Sequence, residues 1–319
     1  MATSAPLIRR NAEQPPRVER ALERLALGVL APFGWTVGRL PLGFGLWLGR
    51  RLGDLAYWTL PGRRRVARQN LTLAFGRERS AEELAALCRR SFQHLGMMAV
   101  EVSAFLFTPQ AVLLRRVSVE GMEHLRSAME RGKGVLALTA HFGNWELLAA
   151  SHVLTSFRLS VVVRPLDLPA LDRVAARLRT RTGVELIDKR NALSGVLSAL
   201  RRQWMVGILL DQNASRREGV FVPFFGVPAS TSKGLALLAF KTGAPVVPIF
   251  IRREPDGCHR VIVDPPVPLS PTGDRERDLG EATAAFTRVI EAKVRQWPEQ
   301  WFWVHRRWKT RPPPPVPRE

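Results

Sequence analysis

From Val117 to about residue 310 the chain repeats one pattern, a short apolar run followed by a helix-patterned stretch. Gly134–Thr139, Ser160–Val163, Val206–Leu210, Val246–Ile251 and Val261–Val263 read as strands. Asn144–Leu154, Ala170–Thr182, Leu193–Arg202 and Lys233–Thr242 read as the helices between them. Strands that alternate with helices predict an α/β fold, a mostly parallel sheet flanked by helices. The reading assigns 117–310 to one α/β catalytic domain, because no low-complexity linker or internal repeat divides it.

The chain ahead of this domain is organised differently. Residues 1–24 are polar and charged, with Pro15-Pro16 among them, and read as a flexible arm. They hold no apolar run ending at a small-residue cleavage site, so no cleavable signal peptide is expected. Residues 25–62 are apolar but broken by Pro32, Arg39, Pro41, Arg50, Arg51 and Asp54. A membrane-spanning helix needs about 20 mostly apolar residues in a row. Two readings stand: one span, or a pair of helices lying in the membrane surface. Phe44, Trp47, Leu48, Leu52, Leu55 and Trp58 follow helical spacing, with Arg50, Arg51 and Asp54 opposite. That is the pattern of an interfacial helix with aromatic anchors. An amphipathic core helix is the ordinary alternative, and the basic run Arg63-Arg64-Arg65 favours the membrane. Residues 63–116 read as a helical subdomain. In it Ser80 and Glu83 have capping-box spacing at the start of a helix running to Phe107. Residues 311–319 form a Pro-rich tail.

Charge narrows the partners. Lys and Arg number 48 against 28 Asp and Glu, a formal net charge of +20. Such a chain seeks nucleic acid, anionic lipid or an acidic carrier protein. No zinc-finger or RNP-type motif accompanies the charge, which argues against nucleic acid. Two cysteines and six scattered His, without CxxC or HExxH, argue against a metal site.

The sharpest chemical signal is His141-Phe142-Gly143-Asn144-Trp145-Glu146. A strand ends at the His, and Asn144 is a good helix N-cap. On one helix, residues five apart point about 140° away from each other. His141 and Glu146 therefore meet only if His141 lies outside the helix, at a strand end, where open α/β sheets place their sites. A His oriented by a carboxylate is a general base; a His satisfied by backbone in a turn is the ordinary alternative. Arg164 and Asp211 follow two further strands in the same way, and three polar strand ends suggest one site. Val220–Gly226 is stiff and aromatic. Phe221, Phe224 and Phe225 either line an acyl-chain channel or pack a core strand. Thr231, Ser232 and Lys233 open a helix whose N-terminus suits a phosphate, or is simply capped. There is no GxSxG elbow, GxxxxGK[ST] loop or GxGxxG, which disfavours a serine esterase, a P-loop enzyme and a dinucleotide-binding enzyme.

The His141–Glu146 block resembles the His-(four residues)-acid motif of glycerolipid acyltransferases. With Arg63–Phe75, Ser91–Leu95, Val163-Arg164-Pro165, Asp211-Gln212, Phe221–Gly226, Thr242–Pro248 and Gln300–Trp308, the chain resembles the bacterial lipid A biosynthesis lauroyl/myristoyl acyltransferases from about Leu40 to Trp308. Enzymes that acylate phosphatidylinositol mannosides share much of the pattern. The resemblance implies an enzyme at the cytoplasmic face of the inner membrane. It would move a fatty acyl group from acyl carrier protein or coenzyme A to a hydroxyl of a lipid A precursor or related glycolipid, with no other cofactor. It implies His141 as the base and Glu146 as the group that orients and charge-stabilises it. Arg164 would hold an acceptor phosphate or the developing oxyanion, and Asp211, Asn144 and Thr231 would bind substrate. A non-catalytic anionic-lipid-binding protein of the same fold is the alternative.

Overall fold

The computed structural model describes residues 28, 32–105, 107–163 and 169–313. Two helices, α1 (Leu42–Thr59) and α2 (Pro61–Phe75), lead into a long third, α3 (Ala81–Phe105). Pro61 opens α2, where the missing N–H costs nothing. The capping box that the spacing predicts is present: Ser80 N–H donates to Glu83 Oε2 at 2.7 Å, and Glu83 N–H to Ser80 Oγ at 3.2 Å.

Small residues let α1 lie almost backbone to backbone on α3. A Cβ on Gly53 would stand 2.3 Å from the Phe92 carbonyl, and one on Gly96 2.1 Å from the Gly49 carbonyl. Asp54 is buried in this seam, accepting from Arg89 Nε at 2.7 Å and Gln93 Nε2 at 2.8 Å. Asp54 thus faces α3, and Arg51 of its own helix reaches its other carboxylate oxygen at 3.0 Å. The aromatic stripe is turned outward. Phe44, Trp47, Leu55 and Trp58 are 48–64% exposed, so α1 is not an ordinary core helix. Among the described residues no helix is long and apolar enough to cross a membrane.

A short helix α4 (Gln110–Leu114) leads into the sheet domain. In chain order this holds β1 (Val117–Glu120), α5 (Met122–Glu130), β2 (Val135–Thr139), α6 (Trp145–Ala150), β3 (Leu159–Val163), α7 (Pro169–Thr180), β4 (Glu185–Asp188), α8 (Ala192–Arg201) and β5 (Met205–Leu209). The hairpin β6 (Gly219–Phe224)–β7 (Val227–Ser232) follows, then α9 (Gly234–Thr242), β8 (Val246–Arg253), β9 (His259–Val263) and α10 (Arg275–Gln296). Seven strands form one sheet in the order β1-β9-β8-β2-β5-β3-β4, parallel except where β9 runs against β8. One apolar core packs a face of it against α2, α3, α8, α9, α10 and the C-terminal tryptophans; a second packs the other face against α5, α6 and α7.

The expected strands and helices all form, to within a few residues at their ends. Three strands, β1, β4 and β7, were not expected, and β6 is the core strand offered as one reading of Val220–Gly226. β1 and β4 are short sheet edges with acidic ends, and β6 and β7 pair only with each other. The Val220–Gly226 segment is the first strand of that hairpin. Thr231 lies on β7, and α9 begins later, at Gly234. α5 and α10 were also missed. α10 is rich in charge, yet Asp274 caps it through Glu276 N–H and Arg277 N–H, both at 3.1 Å, and Ala282, Phe286, Ile290 and Val294 bury one stripe.

Candidate active site

Strand register builds the site. β2 and β5 are adjacent and parallel, with Thr139 opposite Leu209. His141 and Asp211 each lie two residues beyond those partners, so they emerge side by side at the carboxyl edge of the sheet. His141 Nδ1 is 2.9 Å from Asp211 Oδ1, and His141 backbone N–H donates to Asp211 Oδ2 at 3.0 Å. An ionised carboxylate only accepts, so in the neutral imidazole Nδ1 carries the ring proton and Nε2 the lone pair. Trp301 Nε1–H also donates to Asp211 Oδ2, at 2.8 Å. Asp211 is buried, with a side chain 2% exposed against 21% for His141. Burial pushes its carboxyl up, but the His141 charge and these hydrogen bonds outweigh it and hold Asp211 below the usual carboxylate range.

The turn after His141 is fixed by close contacts. Gly143 has φ 58°, and a Cβ there would stand 1.8 Å from the Ile251 carbonyl, so only glycine lets the turn cross β8. Asn144 caps α6 by accepting from Leu147 N–H at 3.1 Å. Its Nδ2 donates to Glu101 Oε2 at 2.8 Å. Glu101 in turn receives the Arg253 guanidinium through both Nη atoms and lies 3.1 Å from His259 Nε2. Burial would raise the Glu101 carboxyl, yet Arg253 and His259 hold it far below its ordinary value.

The structure redistributes the expected roles. Glu146 does not orient His141: its carboxylate takes Arg179 Nε at 2.9 Å and Nη2 at 2.6 Å, a bidentate pair that ties α6 to α7. The carboxylate on the imidazole is Asp211's. Asn144 is fully buried, which suits a cap and not a substrate ligand. Thr231 is buried under Arg307 Nη2, not at a helix N-terminus. Phe224 and Phe225 are core residues packed on Trp301, Trp303 and Trp308, which fits the core-strand reading, and Phe221 is half-buried on the other face of the same strand. Arg164 lies outside the described residues.

The segment Gln300–Trp308, read from the sequence only as part of the resemblance, has a structural role. Gln300–Thr310 straps the site together. Gln300 carbonyl accepts from Gly143 N–H at 2.9 Å, and Phe302 N–H donates to His141 carbonyl at 3.0 Å. His305 Nε2 accepts from Asn213 N–H at 3.1 Å. Arg307 is buried and donates to the Ser230 carbonyl at 2.7 Å and the Gln212 carbonyl at 3.3 Å. Asn70 of α2 holds the strap from behind, donating to the Trp303 and His305 carbonyls at 2.7 and 2.6 Å. Trp and Arg are dense at 300–309, but what they contact is set by tertiary structure and not by local pattern. Among the described residues no cluster of His, Cys, Asp and Glu is placed to hold a metal ion.

A buried carboxylate holding a partly exposed imidazole is an arrangement able to take a proton from a hydroxyl. The sequence signature of the family described as "Bacterial lipid A biosynthesis acyltransferase" matches residues 20–310. The chain is 34% identical to the lipid A biosynthesis lauroyltransferase of Escherichia coli (strain K12) over 291 residues, 90% of this chain and 91% of that one. It is 32% identical to the palmitoleoyltransferase of the same organism over 288 residues, 90% of each chain. It is 25% identical to the phosphatidylinositol mannoside acyltransferase of Mycolicibacterium smegmatis (strain ATCC 700084 / mc(2)155) over 197 residues, 60% of this chain and 62% of that one. The chain belongs to the bacterial lipid A biosynthesis acyltransferase family, and it is an acyltransferase of lipid A biosynthesis. The family implies a lipid A precursor as acceptor, an acyl donor, and association with a membrane.

Proposed function

We propose that the enzyme moves a fatty acyl group from an acyl thioester to a hydroxyl of a lipid A precursor at the cytoplasmic face of the inner membrane, with His141 as general base. The observation that carries this reading is the His141–Asp211 pair. With Nδ1–H held by Asp211 at 2.9 Å, Nε2 is the nitrogen left to take the acceptor's proton. The hydroxyl oxygen attacks the thioester carbonyl carbon, the carbonyl electrons move to oxygen, and the proton passes to Nε2. Collapse expels the thiolate, which recovers that proton as a free thiol. The thioester is already activated, so no acyl-enzyme and no cofactor enter the scheme.

Asp211 sets the tautomer of the base and balances the imidazolium. Arg164 is assigned to an anionic group of the acceptor, where a bidentate guanidinium suits phosphate. The donor is carried by acyl carrier protein or coenzyme A, both anionic, and a net charge of +20 favours encounter with either. The outward stripe of α1, with Arg50, Arg51, Arg63 and Arg65 exposed beside it, suits a helix resting in an anionic bilayer. An apolar cavity of about 90 Å³, lined in part by Leu46, Val100, Leu113 and Leu147, lies between that helix and α6 and suits part of an alkyl chain. The longer match to the lipid A enzymes favours a lipid A precursor over a phosphatidylinositol mannoside.

The test is acyl transfer by purified protein in detergent micelles, with acyl carrier protein and coenzyme A thioesters offered separately to a lipid A precursor. His141→Ala is expected to lose about 10²–10⁴-fold in kcat while remaining folded. Undiminished transfer by that variant overturns the assignment of the base.

A further inference from the structure

Gln212 directly follows Asp211, and its side chain is exposed at the mouth of the site. Its Nε2 lies 3.3 Å from His141 Nε2 and 3.5 Å from His141 Nδ1, so the carboxamide lies alongside the imidazole. Nε2 of His141 is the nitrogen that faces the acceptor. Apart from Asp211, Gln212 is the polar side chain recorded against the His141 ring among the described residues. The other rings around it are Trp145 and Phe302, with centroids 5.2 and 5.9 Å away.

The backbone that carries this amide is held on both sides. Asp211 is buried beneath Trp301, the Gln212 carbonyl receives Arg307 Nη1–H at 3.3 Å, and Asn213 N–H donates to His305 at 3.1 Å. Arg307 is 1% exposed and makes its recorded hydrogen bonds to two carbonyls and a hydroxyl, so a buried guanidinium is spent on fixing this loop. An exposed polar side chain on a fixed backbone, beside His141 Nε2, is a poor structural element and a good hydrogen-bond donor to substrate.

We propose that Gln212 is a second catalytic residue, whose amide N–H stabilises the oxyanion formed as the thioester is attacked. This rests on the reading of His141 as base. The acceptor hydroxyl must sit within hydrogen-bond reach of His141 Nε2, about 2.6–3.2 Å. The attacked carbonyl carbon bonds to that same oxygen. Its own oxygen therefore develops charge beside the hydroxyl, where the Gln212 amide stands. The incoming hydroxyl takes over the hydrogen bond to Nε2 and frees the amide to turn onto the oxyanion. No atom is transferred to Gln212; it donates a hydrogen bond to a charge absent from the ground state. Losing one such donor costs about 10²–10³-fold in kcat.

The experiment compares steady-state kinetics of the full-length enzyme and its Gln212→Ala, Gln212→Glu and His141→Ala variants, with an acyl thioester donor and a lipid A precursor in micelles. The inference requires kcat to fall about 10²–10³-fold in both Gln212 variants, with KM for donor and acceptor within about threefold. Gln212→Glu keeps the shape and lacks the N–H, so it should fall at least as far as Gln212→Ala. A rise in KM with kcat unchanged makes Gln212 a binding residue and overturns the inference, as does full activity in Gln212→Glu. If His141→Ala loses transfer while the Gln212 variants keep it, only this inference fails. If His141→Ala keeps transfer, the underlying reading fails.

Discussion

Asp211 and Glu146 divide the work that one acid was expected to do. Asp211 Oδ1 orients the imidazole, and its Oδ2 accepts from His141 N–H and Trp301 Nε1–H. Asp211→Asn keeps the shape but offers Nδ1 the wrong partner or tautomer, and kcat is expected to fall about 10²–10⁴-fold. Glu146→Gln weakens the pair with Arg179 instead. It is expected to stay within about tenfold of full activity and to lose about 2 kcal/mol in urea unfolding, since both side chains are largely but not wholly buried. Equal loss of kcat in the two variants, at equal folding, contradicts this division. A second residue-scale expectation concerns acid. Burial, assisted by the Arg253 charge, lowers the His94 imidazole to about 3 from an ordinary 6.5. Between those values the unfolded chain binds a proton that the folded one refuses, so stability falls as pH drops from 6.5 toward 3. The slope for one such group is about 1.4 kcal/mol per pH unit. Urea midpoints at pH 7 and pH 5 test this, and His94→Gln should flatten the dependence. The glycine at 143 belongs to the same scale: its positive φ and the Ile251 carbonyl behind it were not readable from the motif, although the motif contained it.

Among the elements, α1 shows how far periodicity reaches. The helical spacing of Phe44, Trp47, Leu55 and Trp58 was legible, and the stripe forms as one outward face. The inward face was less legible, because between Leu46 and Tyr57 it is made by Gly49, Gly53 and Asp54, small or charged residues that break the apolar period. Since the stripe is about half exposed and Trp58 touches only Tyr57 and Arg64 among the ring contacts of the described residues, Trp47→Ser with Trp58→Ser is expected to shift the unfolding midpoint little and to weaken sedimentation with anionic vesicles about tenfold or more, at about 25 cal/mol per Å² of lost apolar contact. Unaltered vesicle binding removes α1 from the membrane contact. The strands of the sheet were legible where apolar runs are continuous, as in β2 and β8, and illegible at its edges. There β1 and β4 alternate or end in acid, because only one neighbour covers them. α10 hid for the opposite reason: its apolar stripe is narrow and its exposed faces are densely charged.

At the scale of the molecule, the sheet brings distant residues together. His141 and Asp211 could be found one by one at strand ends, but their pairing depends on β2 and β5 being neighbours, a fact of sheet order that no local pattern carries. The strap from Gln300 to Thr310 was illegible for the same reason. Its tryptophans and arginines acquire meaning only when the end of the chain returns to the turn at His141 and the loop at Asp211. Asn70 then links that strap to α2, which follows the outward-facing α1, so those helices and the His141 turn are tied through one set of hydrogen bonds. The step to test is acyl transfer to a lipid hydroxyl by the His141–Asp211 pair. Intact-lipid mass spectrometry of membranes from cells producing this chain, beside cells producing His141→Ala at equal level, addresses that directly. A lipid A precursor heavier by one acyl group is expected with the unaltered chain and absent with the variant. The same heavier species from both proteins would contradict it.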